Sequence, residues 1–410
     1  MRFKLTVKIV TVLFVSFLYW ISAYSIPQEE GRLVGIPSIP PPLMGGGEGE
    51  GQKGEGEQKG FSDEKARYNN VDFYKEGLVN PGSKVPSSHV SSLTWMGDGK
   101  IACVWYGGSR EGAMDVKIYF SLYDENTGVW SEGNVVVSRE SSSDELGRYV
   151  RKVGNPVIFS DSSDRLWLFY VTITVGGWSG SSLNYKISYD HGKTWTPSKK
   201  LVLSPFFNLS NLVKNKPMLL DGGGFLLPIY HEFINKYPEM LMVIPDGDAV
   251  QYKKWRIGFK KGLLQPSILA LDEKRVVAYF RNAGKGNKKY VMESISNDAG
   301  MTWSEPLPTT LPNPNSGLDV VSTPEGSVLV VLNDSFKDRS RLALYLSKDN
   351  DREWIKIKDL EDTPGMEFSY PSIIRTPDNT YHISYTYNRS NIKHVTFSDI
   401  WLLEKLKNDS

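Results

Sequence analysis

Six points along the chain carry a polar or aromatic residue at the head of an apolar run. They are His89 before Val-Ser-Ser-Leu, Asn155 before Pro-Val-Ile-Phe, Lys216 before Pro-Met-Leu-Leu, Gln265 before Pro-Ser-Ile-Leu, Leu318 with Asp319 before Val-Val, and Tyr370 before Pro-Ser-Ile-Ile. A strand buried on both faces ordinarily begins with an apolar residue. An imidazole, two amides, an ammonium, a carboxylate and a phenol around one channel are groups that hydrogen-bond a hydroxylated ligand such as a sugar. The same polarity also suits a channel that only holds water. The glycine-rich stretch Gly107-Gly-Ser-Arg-Glu111-Gly-Ala-Met-Asp115 offers two carboxylates on a loop, a setting that suits a catalytic acid. Asn313 and Asp319 lie in the run Leu311-Pro-Asn-Pro-Asn-Ser-Gly-Leu-Asp319, a polar cluster that serves equally well to make turns. No Cys/His group has metal-ligand spacing, and no cofactor is expected.

The elements that must position these groups are legible from their spacing. The six starts lie 66, 61, 49, 53 and 52 residues apart, and each is followed by a turn and a second apolar strand. Six such units of about four short antiparallel strands make an all-β, six-bladed propeller. In a propeller the first strand of each blade lines the central channel. A second repeat agrees: Ser188-Tyr-Asp-His-Gly-Lys-Thr-Trp195 and Ser296-Asn-Asp-Ala-Gly-Met-Thr-Trp303, with degraded copies at Ser347–Trp354 and Ser121–Trp130. Ser and Asp can bond nearby backbone N–H groups, Gly supplies positive φ, and Trp packs onto the sheet beneath. With 37 glycines, 21 tyrosines, 17 phenylalanines and 11 tryptophans, the composition suits an all-β chain with a large core. A net charge of +1 gives no sign of a nucleic-acid partner. The single cysteine, Cys103, lies in an apolar strand and reads as a core residue.

Residues 1–25 read as a signal peptide, with Arg2, Lys4 and Lys8 before an apolar run; an uncleaved membrane anchor is the alternative. Residues 26–84, rich in Gly, Glu, Pro and Lys, are expected to form a disordered spacer, and 85–405 the propeller. The protein is therefore expected to be exported: periplasmic, on the cell surface or secreted.

The Ser-x-Asp-x-Gly-x-Thr-Trp motif resembles the Asp-box repeat of sialidases, and the resemblance runs from about residue 85 to 400. It implies a set of roles. Tyr370, before the Asp378-Asn379 turn, matches the nucleophile; a neutral phenol suits attack beside an anionic carboxylate. Arg281 and Arg341 match two arginines that hold the substrate carboxylate. Glu111, with Asp115 second, matches the acid/base. Two positions depart from the family: His89 stands where its first arginine lies, and Gln265 where a glutamate polarises the tyrosine. A neutral amide cannot take the phenolic proton, so Glu367 or Glu232 is expected at the Tyr370 hydroxyl. These departures resemble the BNR repeat-like subgroup. The resemblance implies an exo-glycosidase acting on sialic acid or a related acidic sugar. A non-catalytic glycan-binding propeller is the alternative, favoured if no carboxylate meets the Tyr370 hydroxyl.

Overall fold

The computed structural model describes residues 72–204, 208–347 and 353–408. Twenty-six strands form six antiparallel sheets. Blade 1 is built on Ser87–Trp95, Lys100–Gly108 and Lys117–Asp124; blade 2 on Lys152–Ser160, Leu166–Ile173 and Ser181–Ser188. Blade 3 has a broken inner strand, Leu212–Val213 and Met218–Leu219, both pairing with Phe225–His231. Blades 4 and 5 open on Leu263–Ala270 and Asp319–Ser322. Blade 6 runs Phe368–Arg375, Thr380–Tyr387, Asn391–Ser398, and takes its outer strand, Tyr74–Leu78, from the other end of the chain. That strand falls within the stretch expected to be spacer; residues 1–71, on which the expected leader and most of the expected spacer fall, lie outside the described residues.

The core explains why the middle strands read as unbroken apolar runs. Each blade is sandwiched between two others, so Leu166–Ile173 and Val328–Asn333 are buried along their whole length. Six main apolar clusters result, each filling one seam between adjacent blades. Cys103 lies in the seam between blades 6 and 1 as a free thiol.

The two complete Asp boxes are superimposable in their bonding. Asp190 accepts from the Thr194 N–H (2.8 Å) and hydroxyl (2.6 Å), while the Ser188 hydroxyl donates to Asp190 and accepts from the Gly192 N–H. Asp298 repeats this with Thr302 N–H (2.7 Å) and hydroxyl (2.6 Å), Ser296 and Gly300. Gly192 and Gly300 have φ of 85° and 88°, and a Cβ on either would strike Phe120 or Leu226 of the preceding blade. Trp195 and Trp303 pack half-buried against those seams. Asp349 lies outside the described residues.

Candidate functional site

The axial positions are set by one backbone device used four times. In blades 1, 2, 4 and 6 the inner strand shifts register between His89 and Ser92, Gly154 and Val157, Leu264 and Ser267, and Ser369 and Ser372. Inside each bulge one residue takes a left-handed backbone: Val90 (φ 52°), Asn155 (46°), Gln265 (49°) and Tyr370 (53°). None is glycine, so each holds backbone strain of about 1–3 kcal/mol that the fold must offset. In three blades the next residue is proline, which bars the ordinary helical conformation before it. Three residues on, a backbone N–H reaches the preceding blade: Leu93 to Ser372, Ile158 to Ser92, Val320 to Ser267 and Ile373 to Asp319. By this register Gly317 takes the equivalent place in blade 5. A Cβ there would lie 3.0 Å from Gln265 Oε1 and 3.2 Å from the Tyr370 ring. Glycine is what lets both side chains lie against the backbone there.

Blade 1 corrects the sequence reading. Val90 holds the axial place, and His89 is the residue before it, wholly buried beneath the site. Its ring sits edge-on to Tyr370 (4.9 Å between centroids) and Tyr106 (5.7 Å). Burial lowers its pKa to about 3, with Arg389 adding to the effect, so it is neutral.

Blade 5 and blade 3 also differ from expectation. Asp319 is buried and accepts from Ser267 (2.6 Å), the Ile373 N–H (2.9 Å) and Lys216 (2.8 Å), so Asp319 and Lys216 tie inner strands together. Asn313 is buried and holds its own turn through Ser316 and Asn282. Arg341 is exposed and pairs with Asp362 (2.8 Å). Asp115 accepts from the Ser109 N–H and hydroxyl (both 2.9 Å), closing the loop rather than facing the site. The Glu232 N–H donates to Ser210, and no hydrogen bond joins its carboxylate to Tyr370 among the described residues.

Two arginines that the sequence reading passed over, Arg339 and Arg389, join Arg281 at the mouth. The Arg389 guanidinium clamps two carboxylates, Nη1 to Glu111 (2.6 Å) and Nε to Glu367 (2.6 Å). Arg339 donates to Glu367 (3.0 Å) and to the Asn315 carbonyl (3.2 Å), and lies over the Tyr370 ring. Burial alone would raise the Glu367 carboxyl, but hydrogen bonds from Arg389 and the charge of Arg339 bring it down to about 2. Glu111 is likewise held below its ordinary value, its burial outweighed by Arg389 and neighbouring charge. Both are ionised at neutral pH.

Arg281 is different. It donates to Asn315 Oδ1 (2.8 Å), Gln265 Oε1 (3.2 Å) and the Tyr370 hydroxyl (3.4 Å). All three are neutral. Gln265 in turn donates to the Tyr230 hydroxyl (3.3 Å), which Asn155 also reaches (3.1 Å). A chain of neutral groups thus runs from Asn155 through Tyr230 to Gln265, and the Arg281 guanidinium joins it to Tyr370. The carboxylate expected at the Tyr370 hydroxyl is not there among the described residues: Glu367 is turned to Arg339, Arg389 and Ser369.

The family model described as the BNR repeat-like domain matches residues 99–383. No curated protein matches the chain. Among solved structures, the chain is similar to the Hadza microbial sialidase Hz136 (15% identity, TM-score 0.63, 76% of this chain and 66% of that one). It is similar also to the NanB sialidase of Streptococcus pneumoniae (10%, 0.59, 78% and 70%). The leech intramolecular trans-sialidase, solved with 2,7-anhydro-Neu5Ac, is a third (12%, 0.60, 83% and 72%). At these identities the likeness is one of fold.

Proposed function

The chain belongs to the BNR repeat-like family of sialidase-type propellers, and we propose that its axial mouth takes the acidic end of a glycan. The observation that carries this is the charge balance at the mouth. Arg339 and Arg389 are matched by Glu111 and Glu367, while Arg281 has only neutral partners among the described residues. One partly exposed guanidinium, fixed by three hydrogen bonds, is a ready fork for a carboxylate. Asn315, Gln265 and Tyr370 beside it supply groups that suit sugar hydroxyls. Recognition comes first because the phenol lacks a carboxylate partner and Glu111, being ionised, has no proton to give. The apolar start of the chain, flanked by basic residues, supports a role outside the cytoplasm.

Hydrolysis is the second reading, and one contact favours it. The Arg281 nitrogen Nη1, which donates to the Gln265 amide oxygen, also touches the Tyr370 hydroxyl (3.4 Å). In a 2-keto sugar acid the anomeric carbon is bonded directly to the carboxylate, so binding on Arg281 carries that carbon to the phenol. Arg281 would stabilise the negative charge that develops on the phenol oxygen during attack, the phenolic proton passing to a water of the mouth. Calorimetry with N-acetylneuraminate and other sugar acids, beside turnover of their 4-methylumbelliferyl glycosides, separates the two. Binding without turnover supports recognition. Turnover abolished by Tyr370→Phe with binding retained supports hydrolysis. No binding of any sugar acid overturns both.

A further inference from the structure

The outer rim of blades 3 and 4 carries apolar side chains that no described residue covers. Phe259 is 81% exposed, Ile234 80% and Phe233 56%, the first two being among the most exposed large apolar residues described. They stand on two of three loops, 231–237, 257–262 and 282–290, which are laced together: the Gly262 N–H donates to the Lys236 carbonyl (2.7 Å), and the Ala283 N–H to the Gly262 carbonyl (2.8 Å). Gly262 and Gly284 pack with no room for a Cβ between them. The loops therefore form one surface. The three loops hold six lysines, Lys236, Lys260, Lys261, Lys285, Lys288 and Lys289, against one acid of their own, Glu232, and Glu305, whose carboxylate meets the Phe259 N–H (3.4 Å). The whole chain carries a charge of +1, so this concentration is local.

We propose that this rim docks on an anionic lipid surface, the phenylalanines and isoleucine entering the headgroup region and the lysines meeting lipid phosphates. Protruding aromatics and aliphatics ringed by lysines have little use for a soluble neutral partner. They suit an interface with negative charge at its surface and hydrocarbon beneath. Arg281 is on the same blade, on the strand that leads into the loop 282–290, so docking brings the axial mouth close to glycans attached to that surface. The docking itself does not depend on what the mouth binds.

The test is co-sedimentation of the full chain with vesicles of phosphatidylcholine alone and with about a third phosphatidylglycerol. Wild type and variants share residues 1–71, so their difference reads the loops. Binding is expected to require the anionic lipid and to weaken as salt is raised. It is expected to fall at least about tenfold in Lys261→Glu/Lys285→Glu/Lys288→Glu, and by a similar factor in Phe259→Ser/Ile234→Ser. All these side chains are exposed, and circular dichroism checks that each variant is folded. No difference between wild type and either variant overturns the proposal. So does a loss confined to the charge variant, since adsorption then needs only charge. Tighter binding of soluble polygalacturonate by the same loops overturns it in favour of an acidic polysaccharide.

Discussion

The outer hairpins and the axial bulges are both repeats, but they repeat different things. In the Asp boxes the side chains recur with the turn: Ser188, Asp190, Gly192 and Thr194 bond as Ser296, Asp298, Gly300 and Thr302 do, within about 0.1 Å. At the axial place itself the backbone recurs and the side chain does not. Four residues share φ near 50° and are Val, Asn, Gln and Tyr. The turn needs those atoms to exist at all, so chemistry and geometry are locked together. The bulge is held by neighbouring strands and leaves its side chain free to differ. Function is written where the scaffold fixes direction and leaves identity open.

Changes at the two places should therefore separate stability from binding. Trp303→Ala empties a half-filled seam and should cost about 3 kcal/mol in urea unfolding. Its affinity for a sugar acid should stay unchanged; lost affinity at full stability would reverse the comparison. Arg281→Ala should do the opposite, lowering affinity by about 2 kcal/mol, roughly thirtyfold, by calorimetry. Arg341→Ala is its control and should bind as wild type. Gly317→Ala sharpens the point by pressing one methyl between Gln265 and Tyr370. Affinity should drop about tenfold with stability changed by less than about 1 kcal/mol. An equal loss of both would make Gly317 a packing residue.

The smallest effect lies in the seam between blades 6 and 1, where a polar chain takes the place of apolar contacts. The Trp130 N–H donates to His394, His394 bonds His382 (3.0 Å), and His382 bonds Glu125 (3.1 Å). Burial, with Asp378 and Asp124 adding to it, raises the Glu125 carboxyl to about 7. A carboxyl raised on folding contributes stability that is present below its unfolded value near 4.5 and is lost as pH climbs through 7. Glu125→Gln should flatten the melting temperature between those limits, by a few degrees at most. An unchanged profile would show that Glu125 titrates normally.

Much of this was legible beforehand because repetition is a statistical signal. Six blades, the two complete Asp boxes, and Tyr370 and Gln265 as strand starts follow from spacing; Arg281 beside them follows from the family resemblance. The misplaced residues are off by one or two positions. His89 stands one before Val90, beside a bulge that leaves no mark in the residue types; Leu318 stands one after Gly317, and Arg341 two after Arg339. Glycine at 317 was invisible as a site residue since its contribution is the room it leaves. Arg389 belongs to no repeat. It rests on a left-handed loop after the second strand of blade 6 (φ 54°), and only the folded chain brings it to Glu111, 278 residues earlier.

The clasp of the ring sets the order in which the molecule can be made. The Phe73 N–H meets the Ser398 hydroxyl 325 residues away, and Tyr74–Leu78 finds its partner only in the strand Asn391–Ser398. During synthesis this N-terminal strand emerges first and is paired last. Until then five blades can assemble on nearby contacts while a bare strand waits, so closure should be the slow event in folding. A chain begun after Leu78 would keep every blade's inner strands yet leave Asn391–Ser398 as an open edge, and open edges recruit other chains. Monomers of the whole protein and oligomers of the shortened one would be the visible sign that this clasp is fastened by both ends of the polypeptide.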